Sequence, residues 1–345
     1  MTSWYIAKGP ESDVALSSRV RIARNLKEYP FPNKLDGNQA LLITNRISNV
    51  LKTDATLKSK AFKYYDLARL NETEKNVMIE KHLISPDIVK CCNECGVFIS
   101  RDEKISIMMQ EEDHIRIQCM LPGNQIENVL EMCMEIDNIF EKNIKYAFNE
   151  EFGYLTSCPT NVGTGIRASV MLHLPALTMT GLVKGMLTAC SKIGIAIRGI
   201  YGENSESLGQ IYQISNQVTL GQNEKEIITN VSSVVFQIIE QERLVRKELQ
   251  KQNKNLFKDR IMRAYGIMTN AEIMSSQECL NLISEVRLGI NMGILKNIKI
   301  ETLNKIMLLI QPGNLQKHYE MSLNERERDI MRSKLIKELL NPIKE

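Results

Sequence analysis

The stretch from Val97 to Met120 constrains the fold most, because three short β-rich runs follow one another there. The runs cover residues 97–99, 105–108 and 115–118, and the first two are separated by the polar segment 101–104. Valine, isoleucine and phenylalanine favour extended backbone, and such runs with polar turns between them are typical of antiparallel strands. The stretch therefore predicts an antiparallel meander with alternating faces.

Apolar residues at helical spacing lie on both sides of this meander, and Asp36 and Asn71 are suited to cap helices. The spacing predicts helices over residues 36–54, 77–83, 126–148 and 178–193, with further strand-like runs over 169–174, 195–200 and 211–220. Strands grouped in this way, with helices segregated from them, predict an α+β fold in which helices flank an antiparallel sheet.

Beyond Glu224 the pattern is almost wholly helical. One long amphipathic stretch runs to about Tyr265, and shorter helices are expected over residues 271–285, 301–309 and 324–340. This change of pattern predicts a larger domain over residues 1–255 and a smaller, all-helical C-terminal domain over 256–345.

Composition excludes several classes of protein. The chain has 345 residues, is 43% hydrophobic and carries a formal net charge of +3, so its charge gives no reason to expect nucleic acid or an acidic membrane as a direct partner. No apolar run approaches the roughly 20 residues of a membrane span, and the first residues lack the layout of a secretory signal. A cytoplasmic protein with reduced thiols is expected.

Three of the cysteines, Cys91, Cys92 and Cys95, lie close together with His82 not far away in the sequence. This grouping could hold zinc, but a second cysteine pair is missing. Ordinary thiols are the favoured interpretation, and no metal site is predicted.

Phosphate binding has to be considered without the usual glycine-rich loop, since the chain has no Gly-x-x-x-x-Gly-Lys-Ser/Thr motif. Residues 163–168 imitate Gly-x-Gly-x-x-Ala, but no clear strand precedes them and a strand-like run follows where a helix would be required. A dinucleotide site is therefore disfavoured.

Arginines occur instead in unusual places. In Ser17-Ser18-Arg19-Val20-Arg21, an extended backbone would put Arg19 and Arg21 on one side, where paired guanidinium groups suit a polyphosphate. Such a pair alone is more often part of a solvated strand. Residues 110–116 bring three carboxylates, His114 and Arg116 to the start of a strand, and the plain interpretation of this group is an exposed turn of mixed charge.

Two further segments have the composition of functional loops. Residues 156–169 are rich in turn formers and carry Cys158 and Arg167. Residues 198–203 place Arg198 and Glu203 around two glycines, which let a backbone approach a ligand closely.

Together these segments resemble the catalytic domain of the ATP:guanido phosphotransferases, the family of creatine and arginine kinases. The likeness lies in residues 16–26, 110–118, 158–177 and 198–220, and within the family it is greatest to the bacterial members that phosphorylate arginine side chains of proteins. The resemblance implies ATP and Mg²⁺ as cofactors and five arginines that grip the phosphates: Arg19, Arg21, Arg116, Arg167 and Arg198. The other ATP-binding residues that it implies are Ser17, Ser18, Val20, His82, Ala168, Ser169, Val170, Met171, Gly199, Ile200, Tyr201, Gly202 and Glu203.

The resemblance also implies catalytic roles. Glu112 matches the catalytic base, Glu203 a second carboxylate that holds the guanidinium, and Cys158 a reactive thiol beside it. A guanidinium has a pKa above about 12, so it is a poor nucleophile until a carboxylate orients it and accepts a proton.

Two departures from creatine and arginine kinases bear on the acceptor. The Ser-Ser-Arg motif begins at Ser17, so the helical N-terminal domain of those enzymes is expected to be absent and the cleft open to a protein side chain. The added C-terminal region is implied to mediate dimerisation and to bind phosphoarginine through an Arg-Asp-x-x-Arg-Ala motif, here Arg328, Asp329, Ile330, Met331, Arg332 and Ser333. Without the resemblance, this segment would be read as a solvated charged helix.

The expected function is thus transfer of the γ-phosphoryl group of ATP to arginine side chains of proteins, which marks clients for Clp-type degradation and relieves heat-shock repression. The implied partners are arginine-presenting protein substrates, a zinc-binding activator protein, a heat-shock repressor and a Clp-type unfoldase and protease, with a homodimer as the assembly. The alternatives are a kinase for a free guanidino compound and a phosphoarginine-binding adaptor with an idle kinase site.

Overall fold

A computed structural model describes residues 3–90, 95–199 and 207–341. The strands within these ranges are β1 (Ala15–Arg24), β2 (Lys63–Asp66), β3 (Gly96–Ile99), β4 (Ile105–Met109), β5 (Ile115–Pro122), β6 (Phe148–Asn149), β7 (Gly153–Tyr154), β8 (Ile166–His173), β9 (Ile195–Gly199) and β10 (Ile211–Asn216). The helices are α1 (Gly37–Thr53), α2 (Ala55–Ser59), α3 (Glu72–Glu80), α4 (Ile126–Asn143), α5 (Pro175–Met179), α6 (Leu182–Lys192), α7 (Glu224–Gln252), α8 (Lys254–Asn270), α9 (Ser276–Asn291), α10 (Ile300–Leu309), α11 (Pro312–Tyr319) and α12 (Glu325–Leu340).

Within the described ranges, eight of the strands form one antiparallel sheet in the order β2-β3-β4-β5-β1-β8-β10-β9. The strand β1 lies at its centre, paired with β5 on one side and β8 on the other. Helices α1, α4 and α7 bury one face of the sheet, where Val20 and Ile22 of β1 are fully buried in the main core. Strand residues alternate between faces, so the intervening side chains Arg19 and Arg21 lie on the opposite face.

Helices α8, α9, α10 and α12 enclose a second core, which includes Met268, Cys279, Ile283, Leu303 and Ile336. Helices α7 and α8 are separated by Asn253, whose φ and ψ of −145° and 64° are not helical. This break lies close to the predicted domain boundary at residues 255 and 256, which itself stays a prediction.

The α+β class, the antiparallel sheet flanked by helices and the helical C-terminal region are confirmed. The meander is confirmed as β3-β4-β5. The starts of two helices were predicted correctly from their N-cap residues. Asp36 caps α1 and Asn71 caps α3, each in a capping box with the residue three positions later.

Several expected boundaries were wrong. The helix over residues 126–148 ends at Asn143, because the buried Ile144 that follows is extended. The helix over 178–193 is broken into α5 and α6 by Gly181, whose φ of 73° is left-handed. The strand over 211–220 ends at Asn216.

No helix in the described part of the chain is both long and apolar enough to cross a membrane.

Candidate active site

The open face of the sheet carries a row of arginines. Arg21 in β1 lies directly opposite Arg167 in β8, and Arg19 lies two residues before it on the same face. Arg116 in β5 is two residues from Gln118, which pairs with Arg21, so it also shares this face. These four residues, Arg19, Arg21, Arg116 and Arg167, are called the arginine face below. The alternation expected for the Ser17–Arg21 segment is therefore confirmed.

The arginine face is strongly electropositive in its own right. Burial, followed by the charges of Arg116 and Arg167, lowers the pKa of Arg19 to about 10. Burial and the neighbouring arginines lower the pKa of Arg21 well below its usual value, and burial, Arg198 and Arg116 lower the pKa of Arg167. Guanidinium groups so placed destabilise one another until an anion binds between them.

Two donors on this face are unpaired. The Nε atoms of Arg21 and Arg167 are buried, and neither has a hydrogen-bond partner in the described residues. A buried donor without an acceptor costs about 1–3 kcal/mol, so native proteins rarely keep one without a reason. Phosphate oxygens would supply the missing acceptors and the missing negative charge together.

Other contacts hold the row in place. The Arg19 Nη2 donates to Gln213 Oε1 at 2.8 Å. Gln213 lies in β10, directly opposite Arg198 in β9. The Arg116 Nη1 donates to Glu111 Oε2 at 2.5 Å, and Ser85 donates to the other oxygen of that buried carboxylate. Glu111 thus anchors Arg116, and Arg198 lies exposed on the same side of the sheet.

Glu112 lies in the loop between β4 and β5 and is exposed, whereas its neighbours Glu111, Asp113 and His114 are buried. The His114 Nδ1 accepts from the Leu26 N–H at 3.0 Å, and its Nε2 lies 2.9 Å from the Pro30 carbonyl oxygen. An exposed turn of mixed charge is therefore the wrong interpretation of this segment. The loop backbone is fixed, and Glu112 is the exposed one of the three carboxylates in this segment.

The loop that carries Cys158 is tied to the Glu112 loop. Asp113 Oδ1 accepts from the Ser157 N–H at 2.7 Å and from Asn25 Nδ2 at 2.7 Å. Cys158 is half-buried, with its Sγ 3.0 Å from Thr160 Oγ1. Negative charge on the Cys158 sulfur acts to raise the pKa of Arg167, which places the thiol within electrostatic reach of the arginine face.

The other residues expected to bind the nucleotide lie on two different faces of the sheet. Ser17, Ser169 and Met171 share the face of the arginines. The side chains of Ser18, Val20, Ala168 and Val170 are buried on the other face, so they could contribute to a nucleotide site only through the strand backbone. Ser18 Oγ donates to the Gly123 carbonyl at 2.9 Å and accepts from the Gln125 N–H at 2.9 Å.

His82 lies just beyond α3 with a φ of 58°. Burial and the charge of Arg19 lower its pKa to about 4, so its ring is neutral at physiological pH. Gly199 ends β9, and a Cβ there would lie 2.8 Å from Ser207 Cβ, so only glycine fits. Ile200, Tyr201, Gly202 and Glu203, and also Cys91 and Cys92, lie outside the described residues.

No group of three metal-binding side chains is found in the described ranges. Cys95 is buried, and its Sγ lies 3.0 Å from the Gln110 carbonyl oxygen.

The Arg328–Ser333 segment lies in the first turns of α12. Arg332 is 2% exposed, and it donates to the Ile310 carbonyl at 2.9 Å, the Met274 carbonyl at 2.8 Å and the Asp329 carboxylate. Arg328 is half-buried and donates to the Leu323 carbonyl at 2.9 Å. A uniformly solvated charged helix is therefore the wrong interpretation, because this helix is anchored through Arg332.

Sequence reasoning missed Gln213, Asn25 and Glu111 as supports of the site. The alternation of Gln213 with Tyr212 and Ile214 was a usable signal for its face. Nothing local to Asn25 or Glu111 shows that they contact segments far along the chain.

Solved structures with the same fold are guanidino kinases. The duplicated taurocyamine kinase of Schistosoma mansoni, with transition-state-analog components bound, matches with a TM-score of 0.61 and 29% identity over 70% of this chain and 34% of that one, so the match spans about a third of the duplicated protein. A lombricine kinase matches with a TM-score of 0.60 at 23% identity, over 70% of this chain and 69% of that chain, and this likeness shows the fold alone.

The sequence comparisons are more specific. Residues 42–245 match the model of the ATP:guanido phosphotransferase C-terminal catalytic domain, and residues 253–345 match the protein-arginine kinase McsB C-terminal domain. The protein-arginine kinase of Caldanaerobacter subterraneus subsp. tengcongensis is 48% identical over 96% of this chain and 98% of the relative. That of Halothermothrix orenii is 48% identical over 99% and 97%. The chain belongs to the ATP:guanido phosphotransferase family.

Proposed function

We propose that this protein is a protein-arginine kinase, which transfers the γ-phosphoryl group of ATP to the guanidinium group of arginine side chains in other proteins. The observation that carries the proposal is the arginine face, whose buried Nε donors of Arg21 and Arg167 have no partner among the described residues, together with the exposed Glu112 in the loop that leads into β5. The relatives named protein-arginine kinase, 48% identical over nearly the full length, support the choice of acceptor.

In the proposed reaction, the arginine face binds the ATP phosphates and stabilises the charge that spreads over the equatorial oxygens during transfer. A nitrogen of the acceptor guanidinium forms a bond to the γ-phosphorus, and the bond to the β–γ bridging oxygen breaks, so that ADP leaves. Glu112 orients the guanidinium and accepts the proton that the attacking nitrogen loses.

Glu203 is proposed as the second carboxylate of this clamp, and Cys158 as a thiolate that adds negative charge near the acceptor cation. The donor set near the site fits a magnesium ion held mainly by phosphate oxygens, because Glu111 is occupied by Arg116 and the described residues contain no group of three side chains able to hold a metal ion. The ion would neutralise phosphate charge when bound.

The decisive experiment replaces Glu112 with glutamine, which keeps the size of the side chain and removes the proton acceptor. Purified protein is incubated with ATP, Mg²⁺ and unfolded casein, and phosphoarginine is measured by mass spectrometry under conditions that preserve acid-labile phosphoramidates. We expect E112Q to lower the initial rate about 10²–10⁴-fold, the usual contribution of a positioned base.

The matched control is E150Q, in the exposed turn between β6 and β7, which should leave the rate unchanged. Free arginine is tested as a parallel acceptor, because the structural neighbours include a taurocyamine kinase and a lombricine kinase. Phosphorylation of free arginine without any of casein would overturn the choice of a protein acceptor. Equal rates for E112Q and the wild type would remove Glu112 as the base.

We also propose that the Arg328–Ser333 segment binds phosphoarginine, with half-buried Arg328 as the arginine that meets the phosphate and Arg332 holding the helix in place. Calorimetric titration with phosphoarginine should show at least about tenfold weaker binding for R328Q, the loss expected for one charge-assisted contact. The control R326Q changes an exposed arginine two residues away and should bind as the wild type does. Equal affinity for R328Q would place phosphoarginine elsewhere.

The biological setting is a further part of the proposal and rests on the family resemblance alone. It comprises a cytoplasmic homodimer, a zinc-binding activator, a heat-shock repressor as substrate, and delivery of arginine-phosphorylated clients to a Clp-type unfoldase and protease. Copurification from cells with and without the E112Q change would test these partners.

A further inference from the structure

A pocket lies between the catalytic sheet and the helical C-terminal region, and it is called the inter-domain pocket below. On the sheet side it is lined by Ser17, His82 and Met171, and on the helical side by residues that include Arg287 and Leu308. The sheet-side residues belong to the expected nucleotide site. The helical-side residues come from α9 and α10, which the catalytic-domain family model, ending at residue 245, does not include.

The inter-domain pocket adjoins the arginine face. Ser17 is two residues before Arg19 in β1, and Met171 is two residues beyond Ser169, which pairs with Arg19. Strands rise about 3.3 Å per residue, so the step from arginine to pocket is roughly 7 Å along either strand. A polyphosphate chain on the arginine face would bring an attached nucleoside to the pocket mouth.

The side of the pocket formed by the N-terminal segment and the C-terminal helices carries hydrogen-bond donors whose bonding capacity is not fully used within the described residues. Trp4 lines the pocket at 4% exposure, and its indole Nε1 has no acceptor within the described residues. Arg287 is 2% exposed, and its Nη2 donates to Asn304 Oδ1 and, at 3.4 Å, to the Met307 sulfur. No carboxylate in the described ranges forms an ion pair with it. Purine rings offer several nitrogen acceptors and a flat apolar surface, which match donors set among leucine and methionine.

Buried hydrogen bonds hold this wall against the sheet. The His173 Nε2 at the end of β8 lies 2.7 Å from Ser284 Oγ in α9, and that hydroxyl donates to Gln210 Oε1 at 2.6 Å. The Asn304 Nδ2 donates to the Ile6 carbonyl at 3.0 Å, which joins α10 to the N-terminal segment that carries Trp4. These contacts fix the position of the helical side of the pocket relative to the sheet.

We propose that the helical domain and the N-terminal segment form the nucleoside-binding wall of the ATP site, with Trp4, Arg287 and Leu308 contacting the base. Recognition of the base then depends on residues outside the catalytic domain, and ATP binding stabilises the contact between the two domains. This inference rests on the proposed function only in taking ATP as the nucleotide.

The test compares ATP with inorganic tripolyphosphate, which has the phosphates and lacks the nucleoside. L308W fills the pocket from α10, and its matched control L309W changes the next residue, which is half-buried like Leu308 and does not line the pocket. By calorimetric titration of the full chain, we expect L308W to weaken ATP binding at least tenfold and to leave tripolyphosphate binding unchanged. L309W should bind both ligands as the wild type does.

W4F provides a second variant, because it keeps an aromatic side chain and removes the indole N–H donor together with part of the ring system. We expect it to weaken ATP binding about three- to tenfold without changing tripolyphosphate binding. It decides the question if L308W does not fold.

ATP affinity that is unchanged in both L308W and W4F, or an equal loss for ATP and tripolyphosphate, would overturn the inference and leave the kinase proposal standing. A wild-type protein that binds neither ligand would overturn both. The two failures are therefore distinguishable in one set of titrations.

Discussion

Arg21 and Arg167 lie side by side on neighbouring strands, an arrangement that opposes folding. Like charges directly opposite one another across a sheet are destabilising, and both residues also have a buried Nε that lacks a partner in the part of the chain that the structure describes. Their pKa values are lowered, first by burial and then by the surrounding arginines, which shows that the charged forms are disfavoured in the protein. Such a cost is expected where binding an anion is the function.

It follows that neutralising one member of the pair should have opposite effects on stability and on binding. We expect R167Q to raise the free energy of unfolding by about 0.5 kcal/mol, because a repulsion is removed. The same change should weaken ATP and tripolyphosphate binding by at least about tenfold, because a charge-assisted contact is lost. Urea denaturation and calorimetric titration measure the two effects.

The control is R263Q, since Arg263 is exposed and pairs, within the described ranges, with Asp259 in the preceding turn of α8. That variant should change neither the free energy of unfolding nor the binding of ATP and tripolyphosphate by much. If R167Q bound tripolyphosphate as tightly as the wild type, Arg167 would have no part in phosphate binding.

At the scale of elements, the contact between β1 and α4 determines how the central strand is held. Arg24 at the end of β1 donates to Asp137 of α4 at 2.6 Å and to the Thr164 carbonyl at 2.8 Å, and both charged side chains are buried. The Tyr146 hydroxyl donates to the second oxygen of Asp137 at 3.0 Å, and the Tyr154 ring lies 3.4 Å from the guanidinium carbon. Burial raises the pKa of Asp137 even though Arg24 acts in the opposite direction.

Removing one partner of a buried pair leaves an uncompensated charge. We therefore expect D137A to lower the free energy of unfolding by about 3–5 kcal/mol in urea denaturation. E135A on the same helix breaks an exposed pair with Lys60 and should cost less than about 1 kcal/mol. A loss for D137A no larger than for E135A would mean that the Arg24 pair does not hold β1 to α4.

Elements with local end signals could be predicted from the sequence, and those fixed by distant contacts could not. The capping boxes at Asp36 and Asn71 located α1 and α3. By contrast, β2 has an exposed, polar start and is a strand only because it pairs with β3. Helix α11 is an exception, because it was missed although Pro312 at its first position is a local start signal.

The same division applies to the candidate site. Period-2 alternation was enough to put Arg19 and Arg21 on one face, because that property belongs to a single strand. Which of Glu111, Glu112 and Asp113 stays exposed depends on Arg116, Ser85, Asn25 and Ser157, which surround the loop only after the chain has folded. Resemblance to a family could therefore single out Glu112, whereas local spacing could not.

At the scale of the whole molecule, the helical region contacts the catalytic domain through β8 and through α3. Besides the His173–Ser284 contact, Glu80 at the end of α3 binds the start of α11: its oxygens accept from the Gly313 N–H at 2.7 Å and the Asn314 N–H at 2.8 Å. The two helices approach so closely that a Cβ at position 313 would lie 2.9 Å from Asn76 Cβ. A carboxylate at a helix N-terminus satisfies free backbone donors and complements the helix dipole.

Removing the Glu80 carboxylate should weaken the contact between α3 and α11. We expect E80A to lower the free energy of unfolding by about 2 kcal/mol, because the buried N–H groups of Gly313 and Asn314 lose their acceptor. Hydrogen exchange should show faster exchange in α11, while β1 and β8 at the sheet centre stay protected. The control E72A changes an exposed residue in the first turn of α3 and should cost less than about 1 kcal/mol, with α11 unaffected. Unchanged exchange in α11 of E80A would mean that the contact between α3 and α11 is held by the packing of α3 against Gly313 and not by the Glu80 hydrogen bonds.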